Sequence, residues 1–186
     1  GLRLMLNFDN PYLATGLGDF WRRWHISLST WFRDYLYIPL GGNRRGAVRT
    51  YFNMFLTMVI SGAWHGATGT FVLWGALHGL GRVLTRRLEE TPFYRDRVPR
   101  PVKTLWVFLF VGFAWIFFRA RTLGDAWLIL TRIASFVWSD PRCPIVLVAL
   151  VLSVWAYQSV YESRLRGLLR LAPVRLAIVI GLIVCL

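Results

Sequence analysis

Cysteine is nearly absent from this chain. Its two cysteines among 186 residues, Cys143 and Cys185, lie far apart and have no metal-type neighbours. A disulfide framework and a zinc signature are both excluded. The three histidines lack Cys or carboxylate spacing, so no metal site is expected. Ser27 and Ser29 have no adjacent base, which makes a Ser-His-Asp nucleophile a poor reading. The chain opens on Gly1, with no signal peptide, internal repeat or low-complexity segment.

Acidic residues are few as well: nine, against 22 Lys and Arg, for a net charge of +13. On a soluble chain that excess would suggest nucleic acid. Here the arginines sit between apolar runs, so lipid headgroups and topology explain them better and no nucleic-acid partner is expected. The rest of the composition agrees, with 56% hydrophobic and 16% aromatic residues.

One stretch carries no formal charge at all. Thr50 to Gly81 is a run of 32 residues without Asp, Glu, Lys or Arg, closed by Arg49 and Arg82. Its centre reads Ser61-Gly62-Ala63-Trp64-His65-Gly66-Ala67. A run this apolar belongs in a bilayer, where an ionisable group is costly and therefore a candidate functional site. Imidazole is also the side chain best suited to exchange a proton near neutral pH.

The pattern predicts an all-α, polytopic transmembrane protein with interfacial or re-entrant helices. Residues 1–46 read as a loop followed by an interfacial helix from Phe20 to Ile38, with Asp19 as its N-cap. Residues 47–84 are too long for one span. The glycines at 62, 66 and 69 are expected to break them into two membrane helices, with His65 near the break and facing protein or a cavity. Residues 85–103 read as a charged loop and 104–118 as a short span needing tilt or thinning. An amphipathic helix is expected around 126–137, a span over 144–161, and an incomplete one over 176–186. Those last eleven residues rise only about 16 Å, roughly half a hydrocarbon core. The chain therefore reads as the C-terminal part of one larger membrane domain. The loops 85–103 and 162–175 hold ten basic residues against four in 119–143, which favours a cytoplasmic side for the first two.

Three elements could carry chemistry: Asp19 through Arg44, Gly62 through Ala67, and Trp74-Gly75-Ala76-Leu77-His78-Gly79. A neutral imidazole in a low-dielectric site stays available as a base, and His65 is the candidate. His25 could orient the acceptor or relay a proton. Trp64 could wall a channel opened by the small residues around it. Arg22, Arg23 and Arg33 could attract phosphate groups of a donor or of lipids, although headgroup anchoring explains them equally. His78, beside two glycines, fits helix packing through a hydrogen bond better than catalysis.

Together with Phe113-Ala114-Trp115-Ile116-Phe117-Phe118-Arg119-Ala120, these elements resemble the membrane-bound O-acyltransferases. The likeness covers most of residues 7–120. It is nearest to the bacterial branch that O-acetylates exported polysaccharide such as alginate. The resemblance implies an inner-membrane acetyltransferase with a funnel-like core. Its essential intramembrane histidine would be His65 and its second histidine His25. It also implies acyl-CoA (acetyl-CoA) or another thioester as co-substrate, with no cofactor bound. Membrane lipids, a polysaccharide or carrier-protein acceptor and a periplasmic or extracellular acyltransferase would be its partners. A transporter or structural component of an export complex would explain the broken helix and buried histidine too, but not the Asp19–Arg44 element.

Overall fold

The computed structural model describes residues 5–135, 143–174 and 176. It divides into two compact units, Gly1–Ser135 and Phe136–Leu186. Every regular element among the described residues is helical.

The first unit begins with a 3-10 turn, Pro11–Leu13, then α1 (Leu17–Arg23) and α2 (Ile26–Phe32), which a π-helical turn extends over Arg33–Tyr37. The single helix expected from Phe20 to Ile38 is therefore two. The break is His25, whose φ of 45° is left-handed. The Asn7–Asp9 strand of chain stabilises the break. Asp9 N–H donates to the Arg23 carbonyl, Ile26 N–H to the Asn7 carbonyl, and Ser27 N–H to Asn7 Oδ1. Asp19 also differs from expectation. Gly16 is the N-cap of α1, and Asp19, in the first turn, reaches back to accept the Thr15 N–H at 3.1 Å.

Next come α3 (Gly46–His65) and α4 (Gly69–Glu90), an antiparallel pair divided where the glycines predicted, with His65 the last residue of α3. Their backbones touch. A Cβ at Gly75 would strike the Met58 carbonyl, and one at Gly62 the Phe71 carbonyl. Small residues allow this approach, as in membrane helix pairs. A π-helical turn, Phe93–Arg97, leads to α5 (Arg100–Arg119). The loop expected over 85–103 thus shrinks, because helix enters it from both ends. With 20 residues, α5 is about 30 Å long and needs no thinning of a bilayer. Among the described residues it is the one helix long and apolar enough to cross a membrane. Finally α6 (Leu123–Ala134) starts three residues earlier than the pattern suggested. Thr122 and Asp125 form a capping box there, each side chain accepting the other's N–H at 3.1 Å.

The burial pattern is inside-out. The inward face of α3 carries Thr50, Asn53, Thr57 and Ser61, while Val48, Phe52, Phe55 and Ile60 face outward. Helix α5 likewise exposes Leu105, Trp106, Leu109 and Phe113. Water would reverse this arrangement, whereas lipid favours it. The apolar core lies between α1 and α5 and is built from Ala14, Leu17, Phe20, Val107 and Val111.

In the second unit, α7 (Cys143–Glu162) is a helix over the residues where a span was expected, 144–161. A 3-10 helix, Arg164–Arg170, follows, with Ser163 Oγ accepting the Leu165 N–H at 3.0 Å. The span expected over 176–186 lies outside the described residues beyond Leu176.

Candidate functional site

Helix α1 runs antiparallel along α4, and the pairing sets the site. Leu17 N–H donates to Glu89 Oε1 at 3.0 Å. Gly18 lies against the Arg82 guanidinium, closely enough that a Cβ would come within 2.9 Å of Cζ. Trp21 meets His78 and Trp74 edge-to-face, with centroids 5.1 and 5.9 Å apart. Arg82 and Glu89 form an ion pair at 3.1 Å whose side chains are each only 19% exposed. Near it, Tyr94 Oη donates to the Thr15 carbonyl at 2.9 Å, and burial pushes this phenol's pKa up.

His65 sits where α3 ends, half-buried in an aromatic collar. Phe118 lies at 5.0 Å, Trp64 at 4.9 Å, and Trp74 at 5.4 Å with its plane perpendicular. His25 is carried by a different element, at the left-handed break between α1 and α2. Its Nδ1 lies 3.5 Å from Ser27 Oγ, and the Phe8 ring is 6.0 Å away. Trp64 stands beside His65 but is 59% exposed, so it borders the site rather than closing it.

A cleft of about 930 Å³ is lined by residues of α1, α2, α3 and α4. Ile26 and Ser61 belong to its lining, close in sequence to His25 and His65, but neither imidazole does. Six basic side chains line it (Arg22, Arg33, Arg82, Arg86, Arg95 and Lys103), against the carboxylates of Asp19, Glu89 and Glu90. Such a surface attracts anions, phosphate esters above all.

The three arginines singled out in the sequence fare differently. Arg22 lines the cleft, is 74% exposed and lies 3.6 Å from Asp19. Arg33 lines it too and is bidentate to its neighbour Asp34 at 2.7 and 3.2 Å, which holds that carboxyl below its usual pKa. Arg23 donates to Asp19 Oδ1 and to the Asp9 carbonyl and does not line the cleft. It braces the loop before α2.

Sequence reasoning gave Arg86 and Glu89 no site role and quoted Trp74 and Phe118 only within motifs. Their roles need the folded register of α1, α4 and α5. Only Arg82 gave a signal, as the charge that ends the apolar run. His78 departs from the expected helix-to-helix hydrogen bond. It is wholly buried, and neither ring nitrogen has a partner. Among the described residues no group of three or more His, Cys, Asp or Glu could hold a metal ion.

The family model described as MBOAT, membrane-bound O-acyltransferase family, matches residues 10–125. The chain is 48% identical over 136 residues to the "Probable alginate O-acetylase AlgI" of Pseudomonas aeruginosa, covering 73% of this chain and 26% of that protein. It is 44% identical over 130 residues to the "Peptidoglycan O-acetyltransferase" of Helicobacter pylori, covering 69% and 25%. It is 29% identical over 150 residues to the "Teichoic acid D-alanyltransferase" of Streptococcus thermophilus, covering 74% and 35%. The chain therefore spans about a quarter to a third of the length of these relatives.

Proposed function

Because this chain belongs to the membrane-bound O-acyltransferase family, we propose that it carries the catalytic part of a multi-pass, inner-membrane acetyltransferase. Its acceptor is the hydroxyl of an exported, alginate-like polysaccharide or of a carrier on the way to it. Its donor is a thioester, acetyl-CoA or an acyl carrier of the same chemistry. The names of the relatives, two of them O-acetyl transferring, support the acceptor class.

The observation that carries the reading is the setting of His65: it ends α3 half-buried in an aromatic collar, and Ser61, one turn earlier, lines an open basic cleft. His65 takes the hydroxyl proton as the oxygen attacks the thioester carbonyl. The C–O bond forms, the C–S bond breaks, and the imidazolium returns the proton to the departing thiolate. His25, hydrogen-bonded through Ser27, orients the acceptor. Arg22 and Arg33 draw the donor's phosphates to the cleft mouth, and Trp64 shields one flank of His65. A separate periplasmic or extracellular acyltransferase completes delivery to the polymer.

The test is His65→Ala in the full-length protein, in cells, with membrane abundance measured in parallel. General-base loss is expected to lower acetyl-ester content by about 100-fold or more. Acetylation retained at normal abundance would remove His65 from the chemistry.

A further inference from the structure

Behind the wall of His65 lies a second set of polar atoms. His78 is fully buried and Trp74 nearly so. Trp21 completes a triangle of rings whose centroids stand 4.9, 5.1 and 5.9 Å apart. Four nitrogens in this triangle are buried without a hydrogen-bond partner: Trp21 Nε1, Trp74 Nε1, and both His78 Nδ1 and Nε2. Phe20 stacks over His78 at 6.4 Å and Phe110 closes it edge-on at 5.6 Å, so no protein polar group reaches it. Isolated buried polar atoms of this kind are rare in folded proteins, and four gathered in one place need a cause. The T-shaped contacts give an N–H some attraction to a ring face, but that does nothing for the imidazole lone pair.

We propose that Trp21, Trp74 and His78 form a binding site for a single hydroxyl-type oxygen, and that its occupant holds Trp74 against His65. The donor inventory selects this class. Two indole N–H groups and one imidazole N–H donate, while the remaining imidazole nitrogen accepts. A carbonyl oxygen cannot donate to that nitrogen, and an ammonium group cannot accept from the indoles. The two imidazole nitrogens face opposite sides of the ring, so one oxygen meets only one of them. An oxygen with lone pairs and a hydrogen donates to the accepting nitrogen and accepts from an indole N–H, whether it belongs to water or to a substrate hydroxyl. The proposal deepens the acyltransferase reading. Trp74 is shared between the triangle and the collar of His65, so His78 is a positioning residue for the catalytic imidazole.

Two measurements on the full-length protein decide it. The first is a map near 2 Å resolution, with and without an acceptor sugar. An ordered oxygen within about 3 Å of one His78 nitrogen and one indole nitrogen is expected. Density present without the sugar identifies water; density appearing only with it identifies the acceptor hydroxyl. No oxygen in either state overturns the site, whatever reaction the protein performs.

The second compares His78→Phe with His78→Asn. Phe removes both hydrogen-bonding nitrogens and keeps the ring, whereas Asn keeps a donor and an acceptor. His78→Phe is expected to unfold no more easily than wild type yet to lose at least tenfold in kcat, with the KM for donor unchanged. His78→Asn is expected to recover most of that loss. Wild-type kcat in His78→Phe, or equal loss of stability and activity in both variants, overturns the positioning role.

Discussion

Glu89→Gln is expected to be among the most destabilising single-atom exchanges in the first unit. The glutamine keeps an oxygen for the Leu17 N–H but removes the partner of a guanidinium that is only 19% exposed. A lone charge left in a largely buried position typically costs about 3–5 kcal/mol. The cleft beside Arg82 admits water, which puts the expectation nearer 2–3 kcal/mol. Glu89→Ala also strands the Leu17 amide, adding about 1–2 kcal/mol. Arg82→Met combined with Glu89→Gln is expected to cost less than the two single changes together, because neither charge then remains alone. The assay is reversible denaturant unfolding in mixed micelles of all four variants. Hydrogen exchange at the Leu17 amide adds a local readout: protection is expected to survive Glu89→Gln and to vanish in Glu89→Ala. A cost below about 0.5 kcal/mol for Glu89→Gln, the level of an ordinary surface pair, would refute the reasoning. So would strict additivity in the double variant.

Three further outcomes follow from local geometry. Gly75→Ala is expected to cost at least about 2 kcal/mol, since its Cβ meets the Met58 backbone carbonyl, which has no rotamer to escape into. Gly112→Ala, with open space around it, is instead expected to be neutral or stabilising, and thermal melts of the pair check the contrast. His25→Gly is expected to be about 1 kcal/mol more stable than His25→Ala because position 25 is left-handed, while both lose acyl transfer. Equal stability of the two would contradict the strain. Tyr94→Phe is expected to cost about 1 kcal/mol by loss of the bond to the Thr15 carbonyl. Burial raises this phenol's pKa above its unfolded value, so the contribution is full below pH about 10 and disappears only as pH climbs through the raised value. A cost that changed between pH 6 and 8 would contradict it.

What the sequence made legible was governed by local rules. The absence of charge from Thr50 to Gly81, the glycines at its middle and the position of His65 could be read in order, and α3 and α4 end and begin there. The resemblance located His25, but hydropathy could not show that this residue breaks its helix. The break depends on carbonyls and a side chain from Asn7 and Asp9, supplied by a loop many residues earlier. Arg23 was misleading for the same reason. Beside Arg22 it looks like another cation for an anionic ligand, yet its guanidinium is engaged by Asp19 Oδ1 and the Asp9 carbonyl and stays out of the cleft. The polar stripe of α3 was readable as composition, but its inward direction was not. Asn53 faces inward because its Nδ2 donates to the carbonyls of Leu40 and Gly42, holding that turn onto the helix.

The arrangement along α4 ties these parts together. Trp74, His78 and Arg82 recur at one-turn spacing, so they form a column down one side of the helix. Glu89 joins the lower end by pairing with Arg82. Helix α1 lies along this column, from Leu17 on Glu89 to Trp21 on Trp74. Gly75 and Gly79, turned to the neighbouring face, let α3 close in from the side. Ring contact with His65 therefore forms at one end of the column, and Arg82, at the other, lines the cation-rich cleft. The two cannot be adjusted independently. A change that shifts α4 along α1 and α3 by even part of a turn would withdraw Trp74 from His65 and Glu89 from the Leu17 amide together. The tight glycine contacts with α3 and the Glu89 bond to the Leu17 amide thus serve one purpose, which is to fix the height of α4. On a helix whose outer face carries Val72, Leu80, Leu84 and Leu88, apolar burial alone would not fix that height.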